Sequence, residues 1–85
     1  MRIVETPQFT KELADLPDPI KARAKKQLAL FVQNHRHPSR QIEKMEGFSD
    51  IWKGRITQKY RFTFQIEGDA YVLRRIGPHD IERSP

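Results

Sequence analysis

Four side chains in the second half of the sequence have types and spacings that suit work on a phosphodiester. Lys53 and Arg55 are two residues apart, Arg61 follows soon after them, and His79 comes later in the chain. Lysine and arginine neutralise and orient a phosphate and stabilise the charge that builds on its oxygens. Neighbouring cations lower the pKa of a lysine, so Lys53 is expected to act as a base, and His79 is the candidate proton donor or acceptor.

Together these groups predict metal-free cleavage of RNA through its own 2′-hydroxyl. A plainer interpretation stays open for each of them. Cations on an exposed sheet face are often only solvated, or they bind an acidic protein partner. Arg61 could instead pair with Glu67, and a single histidine after a strand, such as His79, is often an ordinary loop residue.

The strands that must position these groups are predicted at 51–57, 60–67 and 71–76, joined by tight turns. Because side chains alternate between the two faces of a strand, Lys53, Arg55 and Arg61 are expected on one face of the sheet, which we call the open face. The opposite face should hold the core side chains Trp52, Ile56, Tyr60, Phe62, Phe64 and Ile66. In the last strand two registers compete, so the face of Arg74 and Arg75 is not predicted.

Two helices are predicted before these strands, at about 8–15 and 19–34. Thr6 and Asp18 are suited to N-caps, each followed by proline at the first helical position. An apolar stripe runs along the second helix, with lysines on its far side; the stripe is Ile20, Ala24, Leu28, Phe31 and Val32. With a strand at 1–5, the order is β-α-α-β-β-β, and 41–45 is a candidate for one additional short strand between the helices and the last three strands. The fold class is therefore α+β, with a helical hairpin packed on one face of a small, mainly antiparallel sheet and a bare cationic face on the other.

Composition limits the rest of the interpretation. The 85 residues are expected to form one domain, residues 1–85, with a net charge of +5 and no cysteine. Without cysteine, disulfides, thiolate metal sites and thiol nucleophiles are excluded. No apolar stretch is long enough to cross a membrane, so a cytoplasmic location is expected. The positive charge falls in two regions, which favours an extended polyanion or an acidic partner over solubility alone.

Two further patterns favour structure over chemistry. His35 and His37 have no local third ligand, so a metal site there is not expected, and no cofactor is predicted. Alternating Phe62 and Phe64 resemble the base-stacking platform of some RNA-binding sheets, but their parity assigns them to the core, with Trp52.

Several motifs resemble the RelE/ParE superfamily of toxins from type II toxin–antitoxin systems. The most specific are Asp50-Ile-Trp-Lys-Gly-Arg-Ile56, Tyr60-Arg-Phe-Thr-Phe64 and Leu73-Arg-Arg-Ile-Gly-Pro-His-Asp80, supported by Thr6-Pro-x-Phe9 and His37-Pro38-Ser39. The His-Asp ending is similar to the YoeB and HigB branches, and the basic strand is similar to RelE toxins that cut mRNA on the ribosome.

The resemblance implies a role for each cation. Lys53 and Arg55 would bind the scissile phosphate, Arg61 would stabilise the phosphorane, and His79 would protonate the leaving oxygen. RNA contacts are expected from Lys21, Lys25 and Lys26 on the second helix and from Arg74 and Arg75. The implied partners are a cognate antitoxin, the ribosome and mRNA.

Two alternatives remain beside the nuclease. Many RelE-like toxins carry a late tyrosine, and this sequence has none after Tyr71, which leaves proton transfer to His79 alone. The ParE branch shares the fold but inhibits DNA gyrase without catalysis, and an inactive nucleic-acid-binding remnant is a third possibility.

Overall fold

The computed structural model describes residues 2–33 and 42–85. Its elements, in chain order, are β1 Arg2–Glu5, α1 Pro7–Ala14, α2 Asp18–Gln33, β2 Ile42–Lys44, β3 Ile51–Arg55, β4 Tyr60–Glu67, β5 Ala70–Pro78 and a 3₁₀ helix His79–Arg83. None of the helices in these ranges combines the length and apolarity needed to cross a bilayer. The pair His35 and His37, with the motif at 37–39, lies outside the described residues.

The strands form one five-stranded sheet in the order β1-β5-β4-β3-β2. The first strand pairs with β5 in parallel, and every other neighbouring pair is antiparallel. The predicted α+β class and its element order are confirmed. The short strand predicted at about 41–45 appears as β2, at one edge of the sheet.

Both helices begin where proline and a capping group favour it. Thr6 caps α1, because its hydroxyl oxygen accepts a hydrogen bond from the Phe9 N–H at 3.2 Å, and Pro7 follows at the first helical position. The second helix begins at Asp18, one residue earlier than predicted. Its predicted apolar stripe holds except at Val32, which is 39% exposed.

The core lies between the helices and one face of the sheet. Phe31 of α2 contacts the rings of Phe62, Phe64 and Tyr71, with centroids 4.8–5.5 Å apart. Trp52 stacks against Phe64 on the same face. Phe62 and Phe64 are each 2% exposed, so they cannot serve as a base-stacking platform. The parity prediction for the core face is therefore right.

A β-bulge in β5 explains why the register of this strand could not be predicted. Phe64 pairs with Leu73 and Thr63 pairs with Arg75, which leaves Arg74 as an extra residue between the core position Leu73 and Arg75. Arg75 therefore lies on the face of Thr63, the open face. Arg74 also reaches that side, because its Nη1 donates to the Gln65 side chain at 2.9 Å.

The open face is covered, and the expectation of a bare cationic face is wrong. The chain turns back after β5, and residues 79–85 (the 79–85 segment) run across the face. Ile81 is 5% exposed and lies over Gly77, where an added Cβ would meet its Cγ2 at 3.0 Å. Thr63 in the middle of the open face is fully buried. The return of the chain buries Ile81 and Thr63, which helices on one face of the sheet alone would leave in contact with water.

Candidate active site

The register of two strands places the three predicted cations on the same face. Lys53 pairs with Thr63, and Arg55 pairs directly with Arg61. Directly opposed residues of an antiparallel pair have their Cβ atoms about 4.5–5.5 Å apart. The glycine between Lys53 and Arg55 faces the core, where Phe62 and Ile42 leave no room for a side chain.

One carboxylate joins two of these cations. Lys53 Nζ donates to Glu82 Oε1 at 2.6 Å, and Arg61 Nε lies 3.7 Å from Glu82 Oε2. Glu43 of the edge strand also contacts Lys53, at 3.2 Å. Because the two oxygens of a single carboxylate reach both side chains, Lys53 and Arg61 are spaced to bind one oxyanion together.

The protonation of Lys53 differs from the sequence prediction. The hydrogen bond to Glu82 raises the pKa of Lys53 above its ordinary value, and Glu43 adds to the rise against the opposing effect of burial. We expected neighbouring cations to lower this pKa and make a base. That expectation is wrong. Folding brings the carboxylates of Glu82 and Glu43 against the Lys53 ammonium group, and their attraction for its charge outweighs the repulsion by Arg55 and Arg61.

The guanidinium of Arg61 is fixed by the turn between β3 and β4. Its Nη1 donates to the carbonyl oxygens of Thr57 at 2.6 Å and Gln58 at 2.8 Å. These bonds orient the group so that Nε faces Glu82. The alternative partner Glu67 is not used, since it lies at the opposite end of the same strand. A fixed guanidinium of this kind suits the recognition of a planar or tetrahedral oxyanion.

Arg55 is the exposed member of the set. It has no ion pair within residues 2–33 and 42–85, although it lies directly across from Arg61. Its side chain is therefore available to a ligand that approaches the site from solvent.

His79 stands at the border of the site. Its backbone N–H donates to the Lys59 carbonyl at 2.9 Å, which ties the start of the 79–85 segment to the β3–β4 turn. The preceding residues Gly77 and Pro78 pair with Arg61 and Tyr60, so His79 is next to the arginine end of the open face. Its side chain is exposed, and in the described part of the chain it makes no hydrogen bond with any of the three cations.

The remaining predicted RNA-binding residues fall into two places. Arg74 and Arg75 line an open cleft of 610 Å³ beside the 79–85 segment, together with Arg83, Phe48 and the start of α1. The lysines of α2, by contrast, are in the helix layer on the other side of the sheet; they are Lys21, which is half-buried, and Lys25 and Lys26, which are exposed. The two positive regions therefore lie on opposite sides of the molecule.

Arg75 has a structural role that the sequence did not indicate. Its Nη2 donates to Glu12 Oε2 at 2.7 Å, and the other oxygen of Glu12 accepts the Ile76 N–H at 3.3 Å. This pair raises the pKa of Arg75 and fastens α1 to β5 next to the bulge. The guanidinium keeps one further bond, from Nη1 to the Ser84 carbonyl at 3.1 Å.

Sequence reasoning also missed Glu82, the residue closest to the predicted phosphate ligands. Its partner Lys53 is 29 positions away, and no periodic pattern spans that interval. The signal that could have revealed it is Ile81, a single apolar residue in a polar stretch after Gly77-Pro78. An isolated apolar side chain there indicates that the chain returns to the sheet and brings its neighbour with it.

The fold of this chain is shared with several solved structures, among them toxins of the YoeB, RelE and YafQ kinds. The chain is similar to the YoeB/ParE toxin from Agrobacterium tumefaciens, with a TM-score of 0.75 at 15% identity, covering 93% of this chain and 99% of that one. It is also similar to a chain of the RelB–RelE antitoxin–toxin complex from Methanococcus jannaschii, with a TM-score of 0.73 at 22% identity over 95% of each chain. YafQ from E. coli matches with a TM-score of 0.75 at 13% identity, over 94% and 96% of the two chains.

No protein-family model matches the chain, and no curated protein matches it by sequence. The structural likeness confirms the resemblance seen in the sequence motifs at the level of the fold. At these identities it establishes the fold alone, and the chemistry has to be argued from the site.

Proposed function

We propose that this protein is the toxin of a toxin–antitoxin pair and a ribosome-dependent endoribonuclease that cuts mRNA in the cytoplasm. The observation that carries the proposal is the shared carboxylate between Lys53 and Arg61. It marks a place where a scissile phosphate would receive two charge-assisted contacts on a rigid sheet, with Arg55 beside it. The fold supports the class, since solved structures of the same fold include toxins in complex with their antitoxins.

In the proposed reaction the substrate supplies its own nucleophile. The 2′-hydroxyl of the RNA attacks the adjacent phosphorus, and the bond from phosphorus to the 5′-oxygen of the next nucleotide breaks. The products are a 2′,3′-cyclic phosphate and a 5′-hydroxyl, so no water or metal enters the balance. Lys53 and Arg55 bind the phosphate as cations, Arg61 stabilises the charge on the phosphorane, and His79 gives a proton to the departing 5′-oxygen.

One part of this scheme differs from the sequence prediction. A bound phosphate takes the place of the Glu82 carboxylate beside the Lys53 ammonium group and likewise favours its charged form, so Lys53 binds the phosphate and does not remove the proton of the 2′-hydroxyl. The proton of the 2′-hydroxyl then leaves to solvent, and His79 keeps its own proton for the departing 5′-oxygen.

Arg55 offers the cleanest test, because its replacement breaks no ion pair that the described structure contains. We expect the unaltered protein to produce mRNA cuts with 5′-hydroxyl ends at the ribosomal A site in a cell-free translation reaction. The Arg55→Gln variant should cut at least about ten-fold more slowly, the cost of one charge-assisted contact. The control Lys11→Gln, which removes an exposed charge from α1, should cut at the normal rate.

Intact messages in the reaction with unaltered protein would refute the nuclease, and equal cutting by the Arg55→Gln variant would refute the role of Arg55 in it. A gyrase supercoiling assay run in parallel tests the second candidate function, non-catalytic inhibition of DNA gyrase. Occupation of the cation pair by Glu82 is the observation that favours this candidate, since a non-catalytic inhibitor has no need of an open phosphate site. Gyrase inhibition with untouched mRNA would assign the protein to that class.

A further inference from the structure

The 79–85 segment holds an anion of the protein in the place proposed for the phosphate. Glu82 is the charged centre of the segment, and its carboxylate faces Lys53 and Arg61. The segment is anchored on either side of this contact. Ile81 packs over Gly77, the Arg75 guanidinium donates to the Ser84 carbonyl, and Arg74 Nε donates to the Pro85 carbonyl at 3.3 Å.

A phosphate and this carboxylate need the same donors. The N–H groups of Lys53 and Arg61 that face Glu82 are the ones that would face a phosphodiester bound between them. Two anions within contact distance of each other repel, and more strongly where the site is partly shielded from water; the side chains of Lys53 and Arg61 are 23% and 16% exposed. A phosphate therefore cannot enter while Glu82 stays.

We propose that Glu82 is a built-in competitor that closes the cation site, and that an RNA phosphate binds by displacing it together with the 79–85 segment. In naming RNA as the displacing ligand this inference rests on the proposed function, whereas the competition for the two cations does not. The protein then has a closed state, which is the one described here, and an open state in which Lys53 and Arg61 face solvent.

The contacts of the segment allow such an opening. The segment is a single short 3₁₀ turn in which the buried residues are Ile81 and Pro85, and the Arg61–Glu82 distance of 3.7 Å is beyond hydrogen-bond range. The carbonyl oxygens of Ser84 and Pro85 accept hydrogen bonds from arginine side chains, and these arginines can donate to phosphate oxygens instead. Elements held by few apolar contacts open at a small fraction of the free energy of global unfolding.

The test compares Glu82→Gln with Glu67→Gln. Both variants lose one negative charge and keep the shape of the side chain, but Glu67 is exposed at the far end of β4 with no ion pair in the described structure. The probe is a short single-stranded oligodeoxynucleotide, which cannot be cleaved because it has no 2′-hydroxyl. We expect Glu82→Gln to bind the probe about ten-fold more tightly than the unaltered protein, the worth of one lost charged competitor, and Glu67→Gln to change affinity by less than about two-fold.

Equal affinities for the two variants would overturn the inference, as would weaker binding by Glu82→Gln. A second measurement uses the unaltered chain and does not depend on the stability of a variant: the NMR signals of Ile81 and Glu82 should shift on addition of the probe, and unchanged signals at saturation would refute displacement.

The translation assay separates failure of this inference from failure of the proposed function. Tighter probe binding by Glu82→Gln without mRNA cutting by any form of the protein supports the competitor and refutes the nuclease. Cutting by the unaltered protein that disappears in Glu82→Gln makes Glu82 part of the cleavage machinery and refutes the competitor.

Discussion

The sequence Lys53-Gly54-Arg55 depends on glycine at its centre, and replacing Gly54 with alanine tests the fold beneath the site. A Cβ at this position would lie 2.3 Å from Phe62 Cε1, 2.4 Å from Phe62 Cζ and 2.7 Å from Ile42 Cδ1. The ring of Phe62 cannot move away freely, because it is 2% exposed and contacts the rings of Phe31 and Phe64. The methyl group therefore has to displace a packed core side chain.

The expected cost follows from these contacts. Overpacking a well-filled core costs about 1–3 kcal/mol, and loss of glycine's backbone freedom in the unfolded chain returns about 0.5–1 kcal/mol. We expect Gly54→Ala to lower the free energy of unfolding by about 1–2 kcal/mol. For a domain of this size, each kcal/mol of stability lost lowers Tm by about 4–8 °C.

Thermal and urea unfolding of four proteins measures this effect: the unaltered chain, Gly54→Ala, Phe62→Leu and the double variant. Leucine at position 62 removes the ring atoms that the new methyl group meets, so the double variant should be more stable than the sum of the two single losses predicts. Additive losses, or a Tm of Gly54→Ala equal to that of the unaltered chain, would refute the steric argument.

Three further predictions concern charge. Glu12→Gln should lower the free energy of unfolding by about 1–2 kcal/mol in urea titrations, because it removes the carboxylate that binds the Arg75 guanidinium and the Ile76 N–H. The control Glu67→Gln, on the exposed surface, should change the free energy of unfolding by less than about 0.5 kcal/mol. The pKa values of Lys53 and Tyr71 are raised in the folded protein, the first by its hydrogen-bonded carboxylate and the second by burial. Their contribution to stability is fully present below their ordinary values of 10.5 and 10.0 and is lost as pH rises through the higher folded values, so the urea midpoint should fall as pH rises above about 10; a constant midpoint would contradict this sign. The affinity for single-stranded RNA should decrease with salt, and a plot of the logarithm of the association constant against the logarithm of salt concentration should have a slope of about −2, as three phosphate contacts predict. A flat plot would mean that the cations serve another partner.

The parts of the fold that follow from local periodicity could be predicted from the sequence. Strand alternation placed Trp52 and Phe64 in the core and Lys53, Arg55 and Arg61 on the opposite face, because a period of two leaves no other arrangement once one face is apolar. Thr6-Pro7 likewise located the start of α1 to within a residue. Both results depend on neighbours in sequence and need no knowledge of distant contacts.

The features that were missed are produced by contacts between distant residues. The bulge at Arg74 adds one residue to a strand whose pattern fits two registers, and only pairing with β4 decides between them. The 79–85 segment has a polar sequence with no period, and Ile81 alone indicates its return over the open face. The error in the pKa of Lys53 has the same origin, since Glu82 and Glu43 reach it only in the folded chain.

The position of Glu82 changes how the site should be understood. The sequence indicated a set of exposed cations, whereas the structure contains an ion-paired set in which Arg55 alone, among the three, is free of ion pairs in the described residues. Activity of the proposed kind therefore requires an exchange of anions as well as the correct placement of side chains. This requirement separates the protein from a simple basic surface, which would bind a polyanion without rearrangement.

The central claim is that Lys53 and Arg61 bind one phosphate on the open face. The most direct measurement is an NMR titration of the unaltered protein with the uncleavable oligodeoxynucleotide, following the side-chain nitrogen signals of its lysines and arginines. We predict that the signals of Lys53 Nζ and Arg61 Nε shift together with a single dissociation constant. Shifts confined to Lys25 and Lys26 on α2, with the signals of Lys53 and Arg61 unchanged at saturation, would contradict the account.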